Sequence, residues 1–256
     1  MFLGSKFQYN NISGDDMFGL KLIRTESSLD QPFGIARKSI TDQAKNRYRV
    51  YHYGFDSEVL SFNLKLFKEG VWTYDQRVVI SKWLIQNTYK DFQSTDYPLV
   101  FKLVAVSQPQ FHNLGNNQGI LEITMESDAP FGYSPVFVGE YDLTDNTENG
   151  TILTLENRSN VLDIYKPELE FKMTGSTSVK LENLSNQGDT FELTNLQIGE
   201  TIYINNQTGL IKSDTSETRL NNLKNHKFFK MVPGVNRVRA TGKVLMEYRM
   251  QFPMMV

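Results

Sequence analysis

Apolar side chains recur at every second residue in many short stretches of this chain, and clusters of Asn, Gly, Pro and Ser separate the stretches. A period of two marks strands that bury one face and wet the other. Two strand-turn-strand units near the C-terminus show it best. In Phe191 to Ile211, Ile202 and Ile204 share a face, and Asn205-Asn206-Gln207-Thr208-Gly209 reverses the chain before Leu210 and Ile211, which predicts a hairpin. In Val232 to Met250, Pro233-Gly234 makes a bend, Val238 and Ala240 alternate with Arg237, Arg239 and Thr241, and Val244, Met246, Tyr248 and Met250 hold one face. We predict a second hairpin there, and a β-sandwich around both.

The same pattern organises the rest. Phe7 to Ile12, the turn Ser13-Gly14-Asp15-Asp16 and the stretch from Leu20 to Ile23 predict an opening hairpin. From Thr25 to Asp56 the pattern fades into a basic, polar segment with Arg37, Lys38, Lys45, Arg47 and Arg49, expected to be an exposed loop or an extended arm that finds its partners on another subunit. Alternation returns at Val59 to Phe67. Thr73 to Asn87 changes period: Val79, Ile80, Trp83 and Leu84 recur one turn apart, and Thr73 and Gln76 stand in capping-box spacing, so a helix is favoured over a strand through Arg77 to Ile80. Strands follow at Phe101 to Val106 and Ile120 to Met125, with Gln108 to Gly119 between them as a loop.

Ser127 to Pro135 holds two prolines and a glycine, and we place a domain boundary at about residue 134, giving domains 1–134 and 135–256. The second reads as strands throughout: Val136 to Tyr141, Gly150 to Glu156, Glu168 to Met173, Ser178 to Leu184, Thr190 to Leu193, Glu200 to Asn205, Leu210 to Lys212, and the final unit. Thr215 to Asn225 is either a short helical turn or a loop. The fold class expected is mainly β, with an N-terminal β domain carrying one helix (about 73–87) and an arm (about 30–56), then a β-sandwich.

Composition narrows the chemistry. With no cysteine there are no disulfides, thiolate nucleophiles or Cys-based metal sites. A formal charge of −2 gives no broad basic surface for phosphates, so no sequence-specific nucleic-acid partner is expected. No stretch reaches the roughly 18 apolar residues of a membrane span, and the N-terminus lacks a secretory run, so synthesis in a cytoplasm is expected. The Asn-x-Ser/Thr triplets at Asn149, Asn157, Asn183 and Asn206 are therefore read as turns.

His52, His112 and His226 lie far apart in sequence, and Asp15-Asp16 lacks the alternating ligands of a calcium loop, so no metal, cofactor or catalytic residue is assigned. The scattered carboxylates leave a glycosidase pair open, since such pairs meet only in the fold. Arg47, Tyr48, Arg49, Tyr51, Tyr53 and Phe55 form the candidate site. Aromatics among arginines stack bases or sugars, and they also populate subunit contacts; the contact is the favoured reading.

The order of these elements resembles the distal tail protein family of long-tailed bacteriophages. The stretches carrying it are Phe7-Gln8-Tyr9-Asn10 with Ser13 to Asp16 and Gly19-Leu20, Asp75 to Leu84 with its tryptophan, Glu122 to Met125 followed by Asp128-Ala129-Pro130-Phe131, Asn195 to Ile202 running into Asn205 to Gly209, and Val232 to Asn236 with Thr241-Gly242. The resemblance implies a non-enzymatic, homohexameric hub ring in the virion tail tip. It would join the tail tube protein and the tape-measure end to the tail-associated lysin and the receptor-binding or baseplate proteins. It further implies that the N-terminal domain builds the ring, that a galectin-like sandwich projects outwards, and that each subunit extends a segment onto its neighbour, for which the arm is our candidate. The other function considered is a carbohydrate-binding module recognising host envelope glycans.

Overall fold

A computed structural model describes residues 6–23, 37–44, 47–55, 59–95, 98–161, 164–215 and 219–255, with 37–44 and 47–55 described by their backbone. The chain divides into two compact units: residues up to Ser134 together with Met254 and Met255, and Pro135–Pro253.

In the first unit the elements are β1 (Phe7–Tyr9), β2 (Ile12–Ser13), α1 (Gly14–Phe18), β3 (Leu20–Leu22), β4 (Arg37–Ala44), β5 (Arg47–Phe55), β6 (Ser61–Lys68), α2 (Tyr74–Leu84), β7 (Lys90–Ser94), β8 (Val100–Ala105), β9 (Gln110–Gly115), β10 (Gln118–Ser127) and β11 (Gly132–Tyr133). The main sheet runs β2-β1-β7-β8-β10-β6-β3, with β9 on β10 and β11 on β8. Alternation decides which face is buried. Leu121, Ile123 and Met125 of β10 and Phe62, Leu64 and Leu66 of β6 enter one core, while the residues between them stay wetter.

Helix α2 covers that face. Thr73 caps it, and both hydrogen bonds of the predicted capping box with Gln76 are present. Ile80, Trp83 and Leu84 are its buried residues. Trp83 donates its indole N–H to the Tyr9 carbonyl at 3.2 Å, and its ring lies 5.9 Å from those of Phe7 and Tyr9 and 5.0 Å from Phe18. A helix too short to persist alone is held by this contact with the sheet.

Three expectations are corrected here. Phe7–Tyr9 does not pair with Leu20–Leu22: β1 pairs with β2 through Asn10-Asn11, both at positive φ, while β3 joins β6 at the other edge of the sheet. A two-residue Asn-Asn turn closes a tighter hairpin than the one expected. Ser13 to Asp16 is no turn but the start of α1, with Ser13 accepting from the Asp16 N–H at 3.2 Å. The expected loop Gln108 to Gly119 contains β9, which pairs with β10 across Asn116-Asn117. Most of β9 is exposed, so it carries no burial pattern to read. Strand β7 was not anticipated.

The second unit contains β12 (Phe137–Leu143), β13 (Thr151–Asn157), β14 (Glu168–Met173), β15 (Val179–Asn183), β16 (Asp189–Leu193), β17 (Thr201–Asn205), β18 (Leu210–Ser213), β19 (Gly234–Thr241) and β20 (Val244–Met250). They form two antiparallel sheets, β12-β20-β14-β17-β18 and β13-β19-β15-β16. Phe171 of the first and Phe191 of the second stack between them, 6.3 Å apart. The β-sandwich predicted is the architecture observed, and β17 and β18 form the predicted hairpin. Short 3-10 turns at Leu220–Asn222 and Lys224–His226 resolve the ambiguous segment.

The second predicted hairpin is overturned. Strands β19 and β20 are consecutive but lie in different sheets, so Gly242 carries the chain across the sandwich. Gly242 sits at φ 117°, and a Cβ there would meet the Ser178 carbonyl oxygen at 2.6 Å. Only glycine suits that crossing.

The triplet asparagines also differ from simple surface turns. Asn157, Asn183 and Asn206 are buried. Asn183 donates to the Lys230 carbonyl and to Asn236 Oδ1, each at 2.8 Å, and Asn206 donates to the Pro167 carbonyl and accepts from the Phe229 N–H. These amides satisfy backbone groups that strands leave unpaired, which is why polar side chains are tolerated inside.

Candidate functional site

Strands β4 and β5 pair only with each other among the described residues, forming a ribbon apart from the main sheet. Where it is described, the expected loop or arm of about 30–56 is two paired antiparallel strands, Arg37–Ala44 and Arg47–Phe55; residues 30–36, 45, 46 and 56 lie outside the described residues. Its register sorts the candidate residues. Lys38, Ile40, Asp42 and Ala44 stand opposite Tyr53, Tyr51, Arg49 and Arg47 and share one face of the ribbon. Gln43, Thr41 and Ser39 stand opposite Tyr48, Val50 and His52 on the other. Gly54 is an extra residue in β5: Tyr53 pairs with Lys38 and Phe55 with Arg37. A bulge of this kind reverses the alternation beyond it. Of the six candidates, Arg47, Arg49, Tyr51 and Tyr53 therefore share a face, while Tyr48 and Phe55 fall on the opposite one.

Sequence reasoning missed an acidic row in the second unit. Glu140 of β12 is directly opposite Glu247 of β20, which is directly opposite Glu170 of β14. All three are exposed, and none of them enters an ion pair among the described residues; the nearest pairing in the rows beside them is Arg249 with Glu168 at 4.0 Å. Exposed Val138 and Leu245 share this sheet face. Residues so distant in sequence become neighbours only through strand register, so nothing in their spacing foretold the row.

Elsewhere the unit neutralises its carboxylate. Glu200 is fully buried and receives Arg219 Nε at 2.6 Å, Arg219 Nη2 at 2.9 Å, Ser213 Oγ–H at 2.5 Å and the Gln197 N–H at 2.8 Å. Burial alone would push its carboxyl up, but these donors outweigh it and hold the group below the usual carboxylate range. The set clasps the start of β17, the end of β18 and the following loop.

Among the described residues no three His, Cys, Asp or Glu side chains gather as a metal site. His112 meets a carboxylate through the fold, Glu122 Oε2 at 3.2 Å, on the open face of β9 and β10. The Asn63 amide, above all, holds Glu122 below its ordinary value, with Lys65 and His112 adding to it.

Residues 2–129 match the family of phage tail protein N-terminal domains, and residues 131–252 match that of phage tail C-terminal domains. The chain belongs to the phage tail proteins. This tail protein, a virion component, is 22% identical over 254 residues to the SPbeta prophage-derived protein YomH of Bacillus subtilis, covering 96% of this chain and 97% of YomH. Its fold is that of the Dit protein of phage SPP1, described as a paradigm of the hub of the adsorption apparatus in phages infecting Gram-positive bacteria. The TM-score is 0.67 at 9% identity, over 96% of this chain and 98% of Dit. A chain of the phage P2 baseplate in its activated, calcium-bound conformation aligns with a TM-score of 0.52 at 8% identity, over 95% of this chain and 97% of that one. Similarity along the whole chain to tail and hub proteins does not favour the carbohydrate-binding alternative.

Proposed function

We propose that this tail protein is a non-catalytic hub at the tail tip that assembles as a homohexameric ring. The first unit builds the ring, and the second projects from it to hold baseplate or receptor-binding proteins. The ring joins the tail tube and tape-measure end to the tail-associated lysin. The observation that carries this reading is the end-to-end fold likeness to a phage hub protein, covering both units in one alignment. The ribbon β4–β5 is the element that reaches a neighbouring subunit. An isolated two-stranded hairpin is marginally stable in water, and the ribbon, which joins no further strand among the described residues, is completed by another chain.

Mass photometry across a concentration series tests this. The expected result is a species of about six subunits for the intact chain and its loss when residues 30–56 are deleted. A chain that stays monomeric at every concentration and is absent from purified virions overturns the hub reading. A deletion variant with an undiminished ring overturns the role of the ribbon.

A further inference from the structure

We infer that the outer side of α2 docks a segment of a different tail protein that presents a carboxylate beside a large apolar side chain. The helix carries two apolar stripes. Ile80, Trp83 and Leu84 form the one that is buried. Tyr74, Val78 and Ile85 stand at i, i+4 and i+11 on the side turned away from it, where Tyr74 and Ile85 are exposed and Val78 is half-buried. A helix that met only water on that side would carry polar residues there. Val78 and Ile85 instead join Arg77, Ser81 and Lys82 in lining a shallow hollow of about 450 Å³, a size that admits the side chains of a partner.

Charge decides the occupant. Neither Arg77 nor Lys82 enters an ion pair among the described residues. The Arg77 guanidinium lies over the Phe111 ring, 5.0 Å from its centre, and its Nε is buried with no hydrogen-bond acceptor among the described residues. This cation is therefore held in place before a partner arrives, and no oxygen among the described residues answers its charge. A carboxylate complements the guanidinium and the ammonium, and the Ser81 hydroxyl is a further donor to it. The apolar lining calls for an apolar neighbour to that carboxylate. A nucleic acid would need a longer run of cations, and a chain with a formal charge of −2 supplies no broad one. This contact goes beyond the ring and the ribbon, and it does not depend on how many copies form the ring.

Cross-linking in purified tails tests it. A photo-reactive phenylalanine analogue placed at Tyr74, an exposed aromatic position on the outer stripe, is irradiated, and the attached peptide is identified by mass spectrometry. The expected partner is a different tail protein, joined at a segment where Asp or Glu neighbours a large apolar residue. Lys82→Glu is expected to lower the yield about fivefold, and Lys172→Glu, the same charge change on the second unit, to leave it within about twofold. Replacing the partner's carboxylate by Lys is then expected to restore the yield in Lys82→Glu. A cross-link to another copy of this chain makes the stripe a self-contact and overturns the assignment. So does a cross-link to a segment without a carboxylate, equal yields from the two variants, or no cross-link at all.

Discussion

Two hairpins in this molecule have opposite fates. β17–β18 is built into a sandwich: Ile202, Ile204 and Ile211 are buried, Asn205 accepts from Gln207 N–H and Thr208 N–H in its turn, and Glu200 with Arg219 clasps its open end. β4–β5 is longer, with strands of 8 and 9 residues against 5 and 4, but joins no other strand among the described residues. The difference teaches that a period of two specifies a strand without specifying what covers it. One hairpin finds its cover within the chain, and we assign the other a cover outside it.

Breaking the clasp is expected to have the largest effect. Arg219→Ala leaves a buried carboxylate without its cation, which costs about 3–5 kcal/mol, measurable as a fall in the urea midpoint of the second unit. The pH profile sharpens the point. Because the folded value of Glu200 is depressed, its contribution is present above the unfolded carboxylate value of about 4.3 and is lost as pH falls through the folded value. In Arg219→Ala only the Ser213 hydroxyl and the Gln197 N–H still oppose burial, so the group rises from its depressed value and the variant is expected to lose less stability than the parent as pH falls. A variant and parent with parallel acid limbs would contradict this account of the clasp.

A smaller effect is expected at the acidic row. Glu247→Lys replaces two like-charge neighbours with opposite ones and is expected to stabilise the second unit by about 0.2–1 kcal/mol at low salt, less at high salt. Thermal unfolding at two ionic strengths checks it. The smallest effect is expected where the comparison is sharpest. Deleting residues 30–56 removes the two-stranded ribbon, and the unfolding free energies of the two units should move by less than about 1 kcal/mol. Hydrogen exchange in β6 and β10 that rises to the level of exposed loops would show that the ribbon supports the first unit after all.

The sequence was most legible where burial and periodicity coincide. Leu121, Ile123 and Met125 announced β10, Ile202 and Ile204 announced β17, and Thr73 with Gln76 announced the start of α2. It was least legible where the partner of a strand had to be known. Val244 to Met250 alternates as a hairpin strand would, yet β20 pairs with β12 and β14, not with β19, because a two-residue connection through Gly242 serves a sheet crossing as readily as a turn. β9 buries too little to leave a pattern. Among the candidate residues, the alternation of Arg47 to Phe55 was visible, but the bulge at Gly54 that moves Phe55 to the opposite face was not, since a bulge is defined by the strand across from it. The Glu140, Glu247 and Glu170 row was hidden for the same reason.

The placement of β19 and β20 also bears on how the subunit is made. Each lies inside its sheet, β19 between β13 and β15 and β20 between β12 and β14. On the ribosome, β12 and β13 must wait without any partner, and β14 and β15 without one of theirs, until residues 234–250 emerge, and only then can either layer close. A chain terminated before Gly234 lacks an interior strand of both sheets, so a subunit truncated there is expected to fail to close its second unit.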